Sequence, residues 1–526
     1  MRAIILALLL AAGPVCAAPY DVVEKDITAL QADLAARRVT SVELVRAYQQ
    51  RIAALDRAGP RLNSVLILNP DAIAQAKALD LERAVKGARG PLHGIPLLIK
   101  DNIETADPMP TTAGSLALAA SMPGRDAPAV ARLRAAGAII LGKTNLSEWA
   151  NIRSTHSISG WSGIGGLTRN PYVLDRSTCG SSAGSGAAIA ASLAAAALGT
   201  ETNGSLVCPG SFNGLVSIKP TVGLVSRTHV IPISHTQDTP GPMTRTVRDT
   251  ALLLEAMAGS DPADAATLSA DSHLRPYASA LASGALAGKR LGVIVPHGTT
   301  PTDKVFEGAL AALRAAGAEI VPVPDFKRPA DTVENSALVL KYELKNDMAA
   351  YLASLPPGGP KTLADLIAFN AASPRELAVF GQEYFEMAQA SGTLSDPVYV
   401  RARDTLGAGM RALIDSTLAA YRLDALIRPT AEPAFRVDTV RGDSIGGSAS
   451  GEPAIAGYPH LTVPMGAVDG LPVGLSFIGP AWSESLLLAL GADFERRAAA
   501  RRPPQFLPSL ESPTQTDLAP VPGSKN

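Results

Sequence analysis

Cysteine and aromatic residues are scarce in this sequence. Only three cysteines occur among 526 residues, too few for a scaffold held together by disulfides, although one bridge is possible. Aromatic residues make up 4% of the chain and hydrophobic residues 47%, so the interior must consist mainly of Ala, Leu, Val and Ile. With 46 Gly and 41 Pro marking many turns, this composition suits an α/β enzyme.

The sequence also lacks an excess of charge of either sign. Its formal net charge is −1, which provides no electrostatic footprint for nucleic acid or for an anionic membrane surface. We therefore expect neither as a partner. Beyond the N-terminus, no long apolar run suggests a membrane-spanning helix.

The first seventeen residues form a pattern typical of a secretory signal peptide. Arg2 precedes an apolar run over 3–12, and Val15 and Ala17 occupy the positions of an A-x-A-like cleavage site. A membrane anchor is disfavoured because spanning a bilayer takes about 20 apolar residues. A lipid anchor on Cys16 is disfavoured because Val15 stands where such signals carry a small residue. The pattern predicts cleavage of 1–17 and an exported, periplasmic or secreted, mature chain without membrane contact.

A chain of this length predicts two domains or one large α/β body. A capping-box pattern at 40–43 starts a helix that ends at Gly59-Pro60, and 182–198 is Ala-rich and favours a helix. Short apolar runs at 65–68 and 95–99 suit strands buried on both faces of a mixed or largely parallel sheet. The same reasoning predicts helices over 247–257 and 337–355, strands over 291–295 and 425–427, a hairpin at 469–470, and a disordered tail over 501–526.

Three short segments carry residue types that could do chemistry. They are Cys-Gly-Ser-Ser-Ala-Gly-Ser-Gly at 179–186, Gly-Thr-Glu-Thr-Asn-Gly-Ser at 199–205, and an apolar strand at 94–101 that ends in Lys100-Asp101. Each has an ordinary alternative, because Gly-Ser stretches are mostly flexible turns and a lysine at a strand end is usually solvated. The first segment is not a Walker phosphate loop, since no Gly-Lys-Ser/Thr follows it.

Taken together and in this order, the three segments closely resemble the amidase signature family. The resemblance continues through 209–221, Gly-Pro-Met-Thr-Arg-Thr-Val-Arg-Asp at 241–249, and 456–464, and it spans roughly 25–500. It implies a single α/β catalytic domain over 18–500, with a central mixed β-sheet covered by helices on both faces. It also implies hydrolysis of carboxamide C–N bonds without a metal or cofactor.

The resemblance assigns roles to individual residues. Ser205 would be the nucleophile, Lys100 the general base, and Ser181 a bridging serine that follows a cis peptide bond after Gly180. The residue types agree with this chemistry, because a serine needs a base to become nucleophilic and a lysine is a base only when it is neutral, as burial would make it. The oxyanion hole would consist of the backbone N–H groups of Thr202, Asn203, Gly204 and Ser205.

Some positions depart from the commonest family pattern. Asn203 stands where Gly is frequent, and Leu-Val-Cys at 206–208 replaces a run that often contains Ile-Arg. At these positions, and at 159–162 and 169–171, the sequence most resembles the peptide amidase branch of the family. Members of that branch deamidate C-terminal peptide amides. The expected substrates are therefore short peptide amides or other small primary amides.

The pattern leaves other functions open. Residues 180–184 also fit G-x-S-x-G, which would make Ser182 the nucleophile of an α/β-hydrolase-type esterase with candidates such as Asp424 and His460. Catalysis by a metal is disfavoured, because the closest histidine pair, His229 and His235, lacks a zincin spacing.

Two further classes are an inactive, amidase-like binding protein and the amidase subunit of a tRNA amidotransferase. The first should have lost a triad residue, and the second should lack an export signal. This sequence keeps all three triad residues and has a signal-peptide pattern, so both observations favour a free-standing hydrolase.

The family triad would also bring two cysteines into one neighbourhood. Cys179 lies two residues before Ser181, and Cys208 three after Ser205. A disulfide is possible if their Cα atoms lie within about 7 Å, and two small buried thiols are the alternative.

Overall fold

The structure is a computed structural model that describes residues 20–294 and 300–510. The predicted signal peptide, 1–17, lies outside the described residues, as do 511–526 of the predicted tail. Within the two described ranges, no helix combines the length and the apolarity that crossing a membrane requires.

Among the residues that the structure describes, eleven strands form one mixed sheet and two more form a small hairpin. In the sheet, β2 pairs in parallel with β3 and β6, and β9 pairs in parallel with β10 and β11, while the other pairs are antiparallel. The strand order is β1-β3-β2-β6-β8-β7-β12-β13-β11-β9-β10. The strands are β1 Val65–Leu68, β2 Pro96–Lys100, β3 Ile139–Thr144, β4 Trp161–Ser162, β5 Gly166–Leu167, β6 Ala196–Glu201, β7 Val216–Lys219, β8 Thr239–Thr244, β9 Arg290–Ile294, β10 Glu319–Val323, β11 Ala425–Pro429, β12 His460–Val468 and β13 Leu471–Ile478.

Helices cover the sheet and fill the connections between its strands. In the described residues they are α1 Ile27–Ala35, α2 Ser41–Ile52, α3 Ala72–Lys86, α4 Pro128–Ala135, α5 Ala183–Ala190, α6 Val207–Phe212, α7 Val247–Met257, α8 Ala270–His273, α9 Pro301–Ala315, α10 Thr332–Ala353, α11 Leu363–Ala372, α12 Glu383–Gln389, α13 Pro397–Tyr421, α14 Gly451–Ala456 and α15 Glu484–Ala498. Helix α2 begins with the predicted capping box and is extended by a π-helical turn, Ala53–Arg57.

The central strands are buried on both faces. Every residue of β2, β6 and β13 is buried, although successive side chains of a strand point to opposite faces. One large apolar cluster runs along the sheet from the N-terminal helices to α15. The predicted fold, a single α/β body with a mixed sheet covered on both faces, is confirmed.

Two predictions about local structure are wrong. The Ala-rich stretch 182–198 is not one helix, because α5 ends at Ala190 and strand β6 begins at Ala196. Residues 501–510, predicted as part of a disordered tail, pack against the body: the N–H groups of Phe506 and Leu507 donate to the carbonyls of Pro171 and Tyr172, at 2.9 and 3.2 Å. These backbone bonds, and the packing of Phe506 on the core, compensate for the polar composition.

Candidate active site

The parallel pairing of β2 with β6 creates the site. The carboxyl ends of parallel strands lie at the same edge of a sheet, and here β2 ends with Lys100 while β6 ends with Glu201. The turn after β6 carries Ser205 and leads into α6. Two of the predicted segments, 94–101 and 199–205, therefore meet at this edge.

Lys100 is buried and makes three hydrogen bonds. Its Nζ donates to Ser181 Oγ at 2.7 Å, to Thr200 Oγ1 at 2.8 Å and to the Thr200 carbonyl at 3.2 Å. Burial lowers the pKa of Lys100 to about 7, although the negative charges of Asp238 and Glu201 oppose the shift. A substantial fraction of the amine is therefore neutral near neutral pH.

Ser181 lies in a tightly packed turn just before α5. The Gly180–Ser181 peptide bond is cis, as the family resemblance implied. The Ser181 carbonyl accepts the N–H of Ser147 at 3.0 Å, and a Cβ on Gly180 would lie 2.1 Å from Ser147 Oγ. A side chain on residue 180 would displace the Ser147 hydroxyl, so the glycine lets Ser147 pack closely against the turn that carries Ser181.

Ser205 is the triad candidate that solvent can reach, with an exposed fraction of 8%. Its carbonyl accepts the N–H of Ser182 at 3.2 Å, which joins the two serine-bearing turns directly. The buried Glu201 carboxylate accepts the N–H groups of Leu206 and Val207, at 2.7 and 3.1 Å, and so anchors the chain after Ser205. The structure thus brings the turns of Ser181 and Ser205 and the end of the Lys100 strand into one cluster.

The turn before Ser205 presents unused hydrogen-bond donors. Within residues 20–294 and 300–510, the N–H groups of 202–205 donate to no protein acceptor. Gly204 has φ +81°, a backbone conformation that favours glycine. The exposed Asn203 is held by Ser450, whose hydroxyl donates to the Asn203 side-chain oxygen at 2.7 Å. The four N–H groups are available to bind a carbonyl oxygen that develops negative charge.

A disulfide joins Cys179 to Cys208, with Cα atoms 5.9 Å apart. The sequence left a disulfide and two free thiols as alternatives, and the structure has the disulfide. Because Cys179 precedes Ser181 and Cys208 follows Ser205, the bridge ties the two turns together a second time.

Comparison with known proteins identifies the family. The family model described as Amidase matches residues 43–488, most of the chain. This chain belongs to the amidase signature family. It is an amidase, a hydrolase that acts on C–N bonds.

Individual relatives agree with this assignment. A probable amidase of Arabidopsis thaliana is 37% identical over 93% of each chain. One of the subunits of the glutamyl-tRNA(Gln) amidotransferase of Renibacterium salmoninarum is 36% identical over 90% of this chain and 94% of its own. The crystal structure of a peptide amidase from Stenotrophomonas maltophilia superposes with a TM-score of 0.86 at 50% identity, covering 92% of this chain and 99% of that one.

The segments that resemble peptide amidases, 159–162 and 169–171, contact residues next to the turns of Ser181 and Ser205 in this amidase. Asn170 donates to the carbonyls of Ser177 and Phe212, at 3.0 and 3.2 Å, and so connects the segment before Ser181 to the end of α6. The N–H of Gly160 donates to Ser147 Oγ at 2.9 Å. These residues therefore position the two turns.

The sequence-based predictions missed three residues that contact a triad candidate or one of its neighbours. Thr200 accepts from Lys100, Asn102 donates to Thr200 Oγ1 at 2.9 Å, and Asp238 accepts from Thr202 Oγ1 at 2.5 Å. Thr200 lies inside the segment 199–205, so its closeness to Ser205 in the sequence could have identified it as a site residue. Asp238 lies outside all three segments, and only strand pairing brings it to the site.

The esterase alternative does not fit the structure of this amidase. Ser182 is buried, and its hydroxyl donates to the Thr200 carbonyl at 3.1 Å. His460 pairs with Ser476, and Asp424 with Lys289 and the N–H of Arg290. The three residues have separate partners and form no triad.

One group of side chains in the described part of the amidase has the composition of a metal site. Ligand atoms of His235, Glu343 and Asp347 lie within 4.8 Å of one another. His235 Nδ1 faces Asp347 at 2.8 Å and Nε2 faces Glu343 at 3.5 Å, so the two ring nitrogens point to different carboxylates. Burial lowers the pKa of His235, but the contacts with the two carboxylates outweigh it and the pKa is raised. This arrangement suits a protonated imidazole better than one shared metal ion.

Proposed function

We propose that this amidase removes ammonia from C-terminal amides of short peptides, with Ser205 as nucleophile, Ser181 as proton relay and Lys100 as general base. The observation that carries the proposal is the 2.7 Å contact between the buried Lys100 amine and the Ser181 hydroxyl, in a turn bonded directly to the backbone of Ser205. A catalytic base must lie within hydrogen-bond reach of the proton that it removes.

In the first half of the reaction, Ser205 Oγ attacks the carbonyl carbon of the carboxamide. The Ser205 proton passes to Ser181 Oγ, while Ser181 gives its own proton to the neutral Lys100 amine. The carbonyl oxygen becomes an oxyanion and accepts hydrogen bonds from the free N–H groups of 202–205. Return of the proton through Ser181 to the amide nitrogen breaks the C–N bond, so ammonia leaves and an acyl-enzyme remains.

In the second half, water replaces ammonia and the same groups act again. Lys100 accepts a proton from the water through Ser181, and the hydroxide formed attacks the ester carbon of the acyl-enzyme. The C–O bond to Ser205 breaks and Ser205 recovers its proton. The net reaction converts one carboxamide and one water into a carboxylic acid and ammonia.

The preference for primary amides is supported by similarity and by access. The peptide amidase of Stenotrophomonas maltophilia is 50% identical to this chain, and 159–162 and 169–171 brace the turns of the site. Ser205 is only 8% exposed, which leaves little room for a chain on both sides of the attacked bond. Leaving ammonia needs almost no space, whereas an internal peptide bond needs a second channel.

We also propose that the enzyme acts outside the cytoplasm as a free-standing hydrolase. The support is the signal-peptide pattern over 1–17 and the disulfide between Cys179 and Cys208, which an oxidising compartment permits. Short peptides and other small amides are the expected partners, without nucleic acid or membrane.

The test compares kcat/KM for a dipeptide amide, assayed by ammonia release, with that for the same dipeptide extended by one residue, assayed by release of that residue. We expect the amide to be hydrolysed at least about tenfold faster, because a closed leaving-group side rejects the longer chain. Free glutamine serves as a third substrate, since an amidotransferase subunit would favour it. Ser205→Ala is the control for contaminating activity. Equal rates for the two peptides, or a faster rate for the longer one, would defeat the peptide-amide assignment.

A further inference from the structure

Asp238 connects the turn 202–205, with its free N–H donors, to the segment just before β8. Its carboxylate is mostly buried, with an exposed residue fraction of 9%. One oxygen accepts the Thr202 hydroxyl at 2.5 Å, and the other accepts the N–H groups of Ile233 and Ser234, at 2.7 and 2.9 Å. The two oxygens of a carboxylate can accept these three hydrogen bonds at the same time, so both oxygens have partners.

Strand pairing explains why these two residues meet although they are 36 positions apart. β6 and β8 pair antiparallel with Glu201 opposite Thr239, so the next pair along the ladder is Thr202 opposite Asp238. Thr202 is the first residue after β6, where the chain leaves the sheet for the Ser205 turn. The hydrogen bond therefore fixes the turn at the point where backbone pairing stops holding it.

We propose that Asp238 is a positioning residue for amide hydrolysis, which holds the 202–205 turn through Thr202 so that its N–H groups face the developing oxyanion. This inference rests on the proposed function, because it needs Ser205 to be the nucleophile. Oxyanion donors act only when they are held in place before the reaction, and misplacement by about 1 Å can cost about 100-fold in rate. Thr202 alone, at the start of a turn and partly exposed, has no other side-chain anchor among the described residues.

Asp238 has a second effect, through its charge. It raises the pKa of Lys100 against the larger effect of burial, and Glu201 acts in the same sense. Burial raises the pKa of Asp238 itself to about 6, although Thr202, two N–H groups and the charge of Arg227 oppose the shift. Asp238 is thus largely ionised from about pH 7 upward, where Lys100 becomes mostly neutral. Removal of its charge should lower the pKa of Lys100 further.

The experiment separates the hydrogen bond from the charge. Thr202→Val removes the bond and keeps the Asp238 carboxyl group, and Thr202→Ser keeps both. Asp238→Asn removes the charge and keeps the shape. Asp56→Asn is the matched control, because the buried Asp56 carboxylate also accepts one hydroxyl, that of Ser64, and two backbone N–H groups, those of Ser64 and Val65, and does not contact the turn.

For Thr202→Val we expect kcat to fall about tenfold or more with KM changed less than about threefold, since the loss acts on the transition state. Thr202→Ser should restore most of the rate. For Asp238→Asn the acidic limb of the kcat/KM profile should move to lower pH, and by more than for Thr202→Val, whereas Asp56→Asn should leave it in place. A purely structural role for Asp238 would not move this limb.

A Thr202→Val enzyme with wild-type kcat, or an Asp238→Asn enzyme with an unshifted acidic limb, overturns the inference. Melting temperatures are measured for all variants, and if Asp238→Asn does not fold, Thr202→Val against Thr202→Ser decides the question. Failure of the proposed function is distinct, because it shows as equal ammonia release by the wild type and Ser205→Ala.

Discussion

The amine of Lys100 lies 2.7 Å from the hydroxyl of Ser181, and solvent reaches neither side chain. A lysine shielded from water pays no cost for being neutral, whereas its protonated form loses hydration. The same burial that packs the end of β2 therefore favours the neutral amine that the proposed role of Lys100 as base requires.

The rate should depend on pH through Lys100. The pKa of Lys100 is lowered to about 7, and the protonated amine cannot accept a proton from Ser181. Turnover should be full above this pKa and should fall about tenfold for each pH unit well below it. The measurement is kcat/KM for a peptide amide between pH 5 and 9. A rate that is flat over this range, in an enzyme shown to remain folded, speaks against Lys100 as the base.

Two neighbouring serines should respond differently to substitution. Ser205→Ala should reduce turnover by a factor of about 10,000 or more, because this substitution removes the proposed nucleophile. Ser182→Ala should keep much of it and lose about 1 kcal/mol of stability, since the Ser182 hydroxyl donates to the Thr200 carbonyl. Initial rates and thermal unfolding of both variants provide the check. An active Ser205→Ala with a dead Ser182→Ala reverses the assignment.

Lys100→Ala should be as damaging as Ser205→Ala. The two residues act as one unit, so loss of either removes the activated nucleophile. Circular dichroism controls for folding, because the substitution leaves a cavity at the end of β2. Near-normal turnover of amides by a folded Lys100→Ala variant excludes the proposed triad.

Thiol counting tests the disulfide and the removal of the leader in one assay. Denatured but unreduced chain cut after residue 17 should show no free thiol, because Cys179 and Cys208 are paired. A chain that keeps its first seventeen residues should show one, from Cys16. After reduction the two forms should show two and three. Two thiols in the unreduced, cut chain mean that the bridge is absent in solution.

Chelation should leave the enzyme active. The proposed chemistry needs only side chains and backbone N–H groups, and the carboxylates at His235 already have hydrogen-bond partners. We expect dialysis against EDTA and the His235→Ala substitution each to keep turnover within about twofold, since neither touches the groups that react. Loss of activity with EDTA, restored by a metal ion, contradicts this expectation.

The sequence was sufficient to predict the cluster of the site but not all of its geometry. The three segments contain Lys100, Ser181 and Thr202–Ser205. Because Lys100 ends an apolar strand, the sequence also predicted that it would be buried and therefore neutral. The helix predicted from Ala337 was also correct in type, although it begins at Thr332. Local patterns of this kind identify residues and elements well.

The errors arose where neighbours in space decide the structure. A fully buried Ala-rich segment has no polar face, so its periodicity cannot separate α5 from β6. Asp238 could not be found because its contact with Thr202 depends on the register of β6 with β8. The same holds for 501–510, whose backbone bonds are to Pro171 and Tyr172, more than 300 positions earlier.

In the proposed mechanism, the contacts of Lys100 also determine when catalysis can begin during folding. Lys100 and Ser181 are 81 positions apart in the sequence, and Lys100 and Thr200 are 100 positions apart. Closing such long loops costs chain entropy, and contacts of this kind generally form after local helices. A partly folded chain thus carries every reactive residue but cannot act on amides, because no local element brings two of them together. Hydrolytic activity should be among the last properties that the polypeptide acquires and among the first that it loses on unfolding.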